Sequence, residues 1–499
     1  MRVDAPPPSV EPIEADPVPD AGSTAPTAAR DSSSTAPVPA TGTLDDGGTT
    51  SPALYTPSTQ SGLAFVQAAG AEDPLVLGIS SESPDAIDSP FFRDPAISPA
   101  RAADQGLRVR RVRKGVPWNI AELPNYMAEF RRYRAVVAQQ NRELVTGEQP
   151  IEIMVVFRYG CENDFRAGDC PQGPSNAKWS PKSNPYSFNG DVKKSYVRMT
   201  GRGIVDDKGT ADPSDDIRGF MDELDQDQQE DPNLPSINLY TAWNEPNDAK
   251  QPFRAKKVST RTGKVLRDGL GADRAALYFK AFNQANCSVD CRPVAGDVIQ
   301  NGSEAGPGEW VPYFDKYVAG ITRRYGKNNL PNTWGLHPYR DLNVLRYKAG
   351  TRGATSTVKR RSKREGERFG TKRFIRKVGG SRGNRRNLWF TEVGSRIDPM
   401  QNFRGRKPLD NGPAGYSQAE DVKYLLTTLA GTGGNRISRL YYYNLCGGDD
   451  KFDAALLTGP PPGCDTVRPA YRVFRDAHQA PGAVAEQVGG LAHVHRAHT

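Results

Sequence analysis

The chain has 499 residues and a formal net charge of +8, from 66 lysines and arginines against 58 aspartates and glutamates. No stretch approaches the roughly 18 to 20 apolar residues that a membrane-spanning helix needs, and the first residues lack the apolar core of a signal peptide. The sequence therefore argues against a membrane span, while its length suits one large barrel.

The two ends of the chain differ in composition from the body. The first 50 residues contain 9 prolines and 8 alanines but no aromatic residue, so they cannot bury enough apolar surface to fold. We predict a disordered lead over residues 1–51, rich in proline, alanine, serine and threonine. One folded body is expected over residues 52–478, followed by a flexible tail over 479–499.

Strand-like and helix-like segments alternate along this body, which predicts a (β/α)8 TIM barrel. The longest connections follow the third, fourth and eighth strands and leave the C-terminal face of the barrel, where barrel enzymes place their active sites. The predicted strands are Leu75 to Ser80, Leu107 to Val116, Ile151 to Arg158, Ile237 to Trp243, Pro293 to Val298, Thr333 to His337, Asn387 to Glu392 and Ser438 to Asn444.

Two helices have clear signatures. A capping box of Ser417 and Glu420 begins a helix that is predicted to run to Ala430. The segment Val467 to His478 is expected to follow the eighth strand and complete the ring of helices.

The six cysteines fall into three close pairs, and zinc-type Cys-x2-Cys spacing is absent. Disulfides are therefore favoured, in one of 15 possible pairings, and with them an exported protein. A proline-rich and alanine-rich lead would suit a linker behind a processed signal peptide. Six reduced thiols in a cytosolic enzyme stay an alternative. The expected pairs are Cys161 with Cys170, Cys287 with Cys291, and Cys446 with Cys464.

A basic segment lies at residues 352–386, where 14 lysines and arginines accompany only two glutamates. We predict an outer helix with flexible flanks that follows the sixth strand and takes no part in catalysis. A solvated helix and a binding surface for anionic polymers are both compatible with this charge. The basic residues of the densest run would surround the helix instead of lining one face. This run consists of Lys359, Arg360, Arg361, Lys363 and Arg364.

Two acidic motifs lie at predicted strand ends. The fourth strand leads into Trp243-Asn244-Glu245-Pro246-Asn247, and the seventh leads into Thr391-Glu392-Val393-Gly394. Because a residue before proline avoids the α region, Pro246 predicts an extended backbone at Glu245. Two carboxylates at two strand ends suggest glycoside hydrolysis, in which one acid protonates the leaving oxygen and the other attacks the sugar.

These motifs, with His337-Pro338-Tyr339 between them, resemble those of clan A glycoside hydrolases, the retaining (β/α)8-barrel glycosidases that include β-xylosidases, endoglucanases and mannanases. The resemblance covers residues 72–478. It implies double displacement without a metal or cofactor, with Glu245 as general acid/base and Glu392 as nucleophile. The two carboxyls would then lie about 5 to 5.5 Å apart.

The resemblance also implies roles for neighbouring residues. Arg113 matches the clan's inward arginine and would keep Glu392 charged, although a surface position among other arginines stays open. Asn244 would donate to the sugar's 2-hydroxyl, or else serve only in a turn. Tyr339 would orient Glu392, and His337 would lie near the sugar, unless it is a structural histidine. The other four histidines lie at position 478 or beyond.

Three aromatic residues are candidates to stack on a sugar face: Trp118, Trp179 and Tyr443. Packing is the alternative for each of them. The sequence also departs from the clan, because the eighth strand ends in tyrosines where many members have tryptophan. The third strand ends without the histidine that some members carry.

We therefore expect an exported, retaining O-glycosidase that acts on a β-linked oligosaccharide or polysaccharide. Two alternatives from other classes stay open. A non-catalytic carbohydrate-binding barrel would keep the aromatic residues and lose the paired acids. A polyanion-binding protein would use residues 352–386 and show binding that depends on salt.

Overall fold

The structure of the protein is a computed structural model. The predicted lead, residues 480–499 of the predicted tail, the pair Cys161 and Cys170, and Trp179 lie outside the described residues, and the predicted domain boundaries stay predictions. The described residues are 75–81, 83–92, 106–144, 149–158, 196–206, 217–248, 256–258, 265–267, 271–287, 291–300, 310–346, 355–381, 384–397, 418–431, 437–447, 453–459, 464 and 466–479.

Eight parallel strands form a closed barrel, which confirms the predicted fold class. Each strand pairs with the next one along the chain, and the last pairs with the first, so the barrel has no open edge. The strands are β1 (Val76–Ser80), β2 (Arg111–Pro117), β3 (Glu152–Arg158), β4 (Leu239–Thr241), β5 (Arg292–Ile299), β6 (Thr333–His337), β7 (Asn387–Val393) and β8 (Ile437–Tyr443).

Helices follow every strand, as a (β/α)8 barrel requires. Strand β6 is followed by two helices, and both lie within the basic segment. The last turn of the helix after β7 widens into a π-helix at Leu425–Leu429. In chain order the helices are α1 (Pro84–Asp88), α2 (Pro124–Arg142), α3 (Phe220–Glu230), α4 (Ala272–Ala285), α5 (Trp310–Tyr325), α6 (Ser356–Phe369), α7 (Thr371–Val378), α8 (Gln418–Tyr424) and α9 (Pro469–Gln479).

Shorter elements lie in the connections between the barrel strands and helices. Single 3-10 turns occur at Ile120–Glu122 and Lys327–Asn329, and a π-helical segment at Asp341–Arg346 follows β6. The small strands pair as Ile204–Asp206 with Ile217–Arg218, Lys256–Val258 with Val265–Arg267, Gly380–Ser381 with Asn384–Arg385, and Leu457–Thr458 with both Cys446–Gly447 and Thr466–Val467. None of the described helices is both long and apolar enough to cross a membrane.

Alternation along the strands divides the core into two layers. On β3, Met154 and Val156 belong to a small cluster with Leu239, Val294, Trp389 and Tyr441, while Ile153, Val155 and Phe157 belong to the larger core. Successive side chains of a strand point to opposite faces, so the small cluster fills the barrel and the large one packs the helices against it. Burial on both faces explains why β3 is apolar throughout.

Two predicted strands and the basic segment need correction. Strand β2 begins at Arg111 and not at Leu107, because Arg108 takes a left-handed backbone with φ of 59°. Strand β4 is limited to Leu239–Thr241. The basic segment forms two helices, α6 and α7, with Gly370 between them, and the backbone amide of Thr371 donates to Asp341 at 2.6 Å to begin the second.

Two of the three predicted cysteine pairs are confirmed. Cys287 and Cys291 form a disulfide with their Cα atoms 4.9 Å apart, and Cys446 and Cys464 form another at 5.6 Å. The second joins the segment after β8 to the start of the last small strand. The pairing of Cys161 with Cys170 stays a prediction.

An ion cluster closes the N-terminal end of the barrel. The carboxylate of Glu152 accepts from Arg292 at 2.6 Å and from Arg439 at 2.8 Å, and it forms an ion pair with Arg111 at 2.9 Å. The guanidinium of Arg439 also lies 4.2 Å from the ring centre of Trp389. Because this end of a barrel contributes to stability and not to catalysis, we assign the cluster a structural role.

Glu152→Gln should lower the free energy of unfolding by about 1 to 3 kcal/mol, because it leaves three arginines without their shared anion. Turnover at the opposite end of the barrel should not change. Chemical denaturation and steady-state kinetics on the same preparation test both statements. A loss of turnover with unchanged stability would contradict the assignment.

Candidate active site

The predicted site residues converge at the C-terminal ends of the strands. Glu245 follows β4, Glu392 lies near the end of β7, His337 ends β6, and Arg113 lies within β2. One oxygen of Glu245, one oxygen of Glu392 and a ring nitrogen of His337 all lie within 4.8 Å of one another. Residues far apart in sequence thus form one cluster at the face where barrel enzymes place their sites.

Glu392 is fixed by two donors. Arg113 Nη1 donates to its Oε2, and the Tyr339 hydroxyl donates to its Oε1 at 2.7 Å. Its strand bulges here, since the β7 pairing with β8 passes from Phe390 directly to Val393. A bulge redirects side chains, and this one lies at Thr391 and Glu392. Burial and the nearby Glu392 charge raise the pKa of Tyr339 well above its ordinary value, so the phenol remains a donor.

Arg113 connects the two halves of the cluster. Its side chain is 1% exposed, which decides against the surface position that the sequence left open. Besides Glu392, it donates to Ser80 Oγ at 3.0 Å and to Asn244 Oδ1 at 2.6 Å. Because Asn244 Oδ1 accepts from the arginine, the amide nitrogen of Asn244 is the group that it can offer to a hydroxyl.

The backbone at Glu245 differs from the sequence prediction. Its φ is 43°, a left-handed value, and not the extended conformation expected before Pro246. A tertiary and a local hydrogen bond explain the difference. The Glu245 amide donates to the Asp297 carbonyl at 2.9 Å, and the Glu245 carbonyl accepts from the Asp248 amide in a turn at 2.8 Å. Left-handed backbone costs a non-glycine residue of order 1 to 3 kcal/mol and is found preferentially at functional sites.

His337 joins Glu245 to a further carboxylate. Its Nδ1 lies 2.7 Å from Glu245 Oε1, and its Nε2 lies 3.1 Å from Asp297 Oδ1. The imidazole is 0% exposed, so His337 is buried behind Glu245, and its place near a sugar stays a prediction.

The two carboxylates that contact His337 have different proton affinities. Burial raises the pKa of Glu245 to about 7, although the hydrogen bond and charge of His337 oppose the rise. For Asp297, burial also favours the neutral form, but the charges of His337 and Arg113 outweigh it and lower the pKa to about 2. Near neutral pH, Glu245 can therefore hold a proton while Asp297 is ionised.

The donor set does not suit a metal ion. Glu245, His337 and Glu392 are close enough to share one, but both nitrogens of His337 already contact carboxylates. Both oxygens of Glu392 accept from Arg113 and Tyr339. A metal would have to displace these partners, whereas the cluster as it stands is suited to proton transfer and nucleophilic attack.

The aromatic candidates occupy different places. Trp118 is buried and lies 6.4 Å, centre to centre, from Tyr196 in the core, which is the packing role that the sequence left open. Tyr443 is half-buried at the end of β8 and close enough to act on the Tyr339 phenol electrostatically. Trp243 packs on Tyr278 at 5.3 Å. Among the predicted stacking residues, Tyr443 thus acts on Tyr339, which donates to Glu392.

Sequence reasoning missed Asp297 and Ser80. Asp297 lies within the strand predicted at Pro293 to Val298, and its only sequence signal is a charged residue after glycine in an otherwise apolar run. Ser80 ends β1 and has no motif of its own. Both contact Arg113, so their roles become visible only when the strands are side by side.

No protein-family model matches the sequence, and a search of curated proteins gives no match. Solved structures of similar fold include a family 51 α-L-arabinofuranosidase from Bifidobacterium longum, with 13% identity, 82% of this chain and 73% of that chain covered, and a TM-score of 0.40. A GH10 xylanase from termite gut has 12% identity, coverage of 83% and 77%, and a TM-score of 0.39.

An endo-β-1,4-glucanase from Xanthomonas axonopodis pv. citri has 11% identity, coverage of 81% and 100%, and a TM-score of 0.36. All three carry names of glycoside hydrolases, the class that the motifs predict. The function proposed below rests on the geometry of the site.

Proposed function

We propose that the protein is a retaining O-glycosyl hydrolase that cleaves a β-linked saccharide by double displacement. The observation that carries the proposal is the pair Glu245 and Glu392, whose oxygens approach within 4.8 Å in two different environments. Carboxyl groups about 5 to 5.5 Å apart are typical of retention, whereas inversion needs about 6.5 to 9.5 Å to admit a water.

In the first step, Glu392 acts as the nucleophile. Its carboxylate attacks the anomeric carbon, the bond from that carbon to the leaving oxygen breaks, and Glu245 transfers its proton to that oxygen. The raised pKa of Glu245 supplies the proton near neutral pH, while Arg113 donates to Glu392 and holds it in place. The products are a glycosyl ester of Glu392 and the free alcohol.

In the second step, Glu245 acts as a base. Its carboxylate takes a proton from water as the water oxygen attacks the anomeric carbon, and the ester bond to Glu392 breaks. Glu245 is then protonated again and Glu392 is a carboxylate, as at the start. We expect the amide of Asn244 to donate to the 2-hydroxyl, a contact that strengthens as the transition state forms.

A panel of chromogenic β-glycosides and polysaccharides tests this proposal. We expect turnover of at least one member, with a β-configured first product seen by proton NMR before mutarotation. An α-configured first product would contradict retention. The alternative of a non-catalytic carbohydrate-binding barrel predicts binding without turnover, but its usual loss of the paired acids is not found here.

We further propose that the enzyme acts outside the cell. Two disulfides, Cys287 with Cys291 and Cys446 with Cys464, support this location, because disulfides persist in oxidising compartments. The second disulfide lies in the segment after β8, next to the site. A covalent link there would help to hold the segment in place.

The basic helix α6 supports a secondary role in retention on anionic material. Four of its exposed cations lie close together in sequence, Lys359, Arg360, Lys363 and Arg364. The nearby acid Glu365 is already engaged by Arg340 at 3.0 Å. Such a surface attracts anionic polymers over roughly one Debye length, about 10 Å at 0.1 M salt and about 3 Å at 1 M.

Replacing these four cations with glutamine should reduce retention on an anionic polysaccharide at 0.1 M salt and have little effect at 1 M. Turnover of a small neutral glycoside should not change. Retention on heparin resin and kinetics measure the two effects. An equal loss of retention in the matched control would show that only total charge matters. The control neutralises four exposed cations elsewhere, Arg132, Arg142, Arg323 and Lys327.

A further inference from the structure

A bulge in β5 places Asp297 inside the barrel. The pairing of β5 with β6 passes from Gly296 opposite Gly335 directly to Val298 opposite Leu336, so Asp297 is the extra residue. Gly296 and Asp297 both have left-handed backbone, with φ of 96° and 54°. A Cβ added at Gly335 would lie 3.3 Å from Asp297 Oδ1, so the facing glycine leaves room for the carboxylate.

Asp297 contacts the machinery of both proposed steps. Its carboxylate accepts from His337 at 3.1 Å and lies 3.4 Å from Arg113 Nη2 and from Thr241 Oγ1. Its backbone carbonyl accepts from the Glu245 amide at 2.9 Å. The residue is 1% exposed, so its charge acts on these partners without screening by water.

We propose that Asp297 is a positioning residue that keeps His337 doubly protonated, so that the imidazolium donates to Glu245 while Arg113 is held toward Glu392. Its significance for catalysis rests on the function proposed above. An imidazolium donor at Glu245 Oε1 leaves Oε2 as the oxygen that carries the transferable proton. A neutral imidazole would instead accept that proton and remove it from the leaving group.

The charges support this arrangement. Burial alone would lower the pKa of His337, but Asp297 and Glu392 outweigh it and raise the pKa to about 10. With Glu245 protonated, the cations Arg113 and His337 balance the anions Asp297 and Glu392. A buried cluster without net charge avoids the desolvation cost of an unpaired ion.

Charged and titratable groups from several elements surround Asp297, His337 and the residues that these two contact. Burial raises the pKa of Tyr317 and Tyr339 above the tested range, so these phenols stay neutral. The groups are Arg113 of β2, Glu245 and Asp248 after β4, Tyr317 of α5, Tyr339 after β6, Glu392 of β7 and Tyr443 of β8.

Imidazole NMR on the full-length protein tests the proposal without requiring turnover. His337→Gln assigns the resonance, and we expect His337 of the wild type to stay doubly protonated through pH 8. In Asp297→Asn its midpoint should fall by at least about one pH unit. A wild-type His337 that is neutral at pH 7 would overturn the proposal whether or not the variant folds.

Kinetics separate positioning from a purely structural role. In Asp297→Asn, kcat/KM should fall about 10- to 100-fold, most steeply above the lowered His337 midpoint, where Glu245 loses its nearest positive charge. Lower stability and activity with an unchanged His337 midpoint would refute the proposal.

The matched control is Asp341→Asn, which alters a buried aspartate bonded to Thr371. It should leave the His337 midpoint unchanged, and an equal shift there would also refute the proposal. If no glycoside is hydrolysed but His337 shifts as expected, the proposed function fails while the effect of Asp297 on His337 is upheld.

Discussion

Replacing Glu392 with alanine should lower kcat/KM by more than about 10⁴-fold on every β-glycoside that the protein hydrolyses, as loss of other catalytic nucleophiles does. The reason is that no glycosyl ester can form, so the reaction loses its first step. Asn244, Tyr339 and Arg113 remain and can still bind substrate, so KM should change much less than kcat. Steady-state kinetics with a chromogenic substrate measure the loss.

Added azide gives the sharper test of the role of Glu392. In Glu392→Ala, azide can enter the vacated space and attack the anomeric carbon while Glu245 protonates the leaving oxygen, which yields an α-glycosyl azide from a β-glycoside. The matched control is Glu152→Gln, another half-buried strand carboxylate bonded to arginine, at the far end of the barrel. Full activity in Glu392→Ala, or equal losses in both variants, would contradict the assignment.

The strand pattern could be predicted because most of the barrel strands are short apolar runs with strand-forming residues, although β2 carries Arg111, Arg113 and Lys114. Strand β3 is predicted within one residue, from Ile151 against the observed Glu152, and β6 matches at both ends. Errors arise where tertiary contacts override local preference. Arg108 is such a place, and so is Gly370, where Asp341 begins a second helix that composition alone does not show.

The site could be predicted only as far as its motifs extend. Glu245, Glu392 and Tyr339 belong to short sequence blocks that resemble a clan, and the structure brings them together. The prediction of an extended backbone at Glu245 was wrong because the amide of Glu245 bonds to Asp297, which lies on another strand. Asp297 itself depends on a bulge, and a one-residue change of register leaves almost no trace in sequence.

Bulges and left-handed backbone occur at the site for one physical reason. In a regular strand, neighbouring side chains point to opposite faces. Two neighbouring residues therefore cannot both point into the active site. The bulges at Asp297 and Glu392 and the left-handed Glu245 break that alternation. Their strain is offset by buried hydrogen bonds to Arg113 and His337, which the rest of the barrel holds in place.

Replacing Glu245 with glutamine should have an effect that depends on the leaving group. For alkyl glycosides, whose leaving oxygen needs a proton, kcat/KM should fall about 10²- to 10⁴-fold. For 2,4-dinitrophenyl glycosides, which leave without a proton, kcat/KM should stay within about tenfold of the wild type. Their kcat should still fall, because no base activates water in the second step, and a burst of dinitrophenol should mark the accumulated glycosyl ester.

The pH dependence of kcat/KM tests the role of Glu245 as a proton donor. Burial raises the pKa of Glu245 to about 7, so its proton is present below that pH and lost above it. Wild-type kcat/KM on alkyl glycosides should therefore decline as pH rises through about 7, since kcat/KM reports the free enzyme. In Glu245→Gln the residual kcat/KM on alkyl glycosides should show no such decline, and with dinitrophenyl glycosides azide should give a β-glycosyl azide by attack on the Glu392 ester. A basic limb that persists in Glu245→Gln, or an α-glycosyl azide, would assign the proton to another residue.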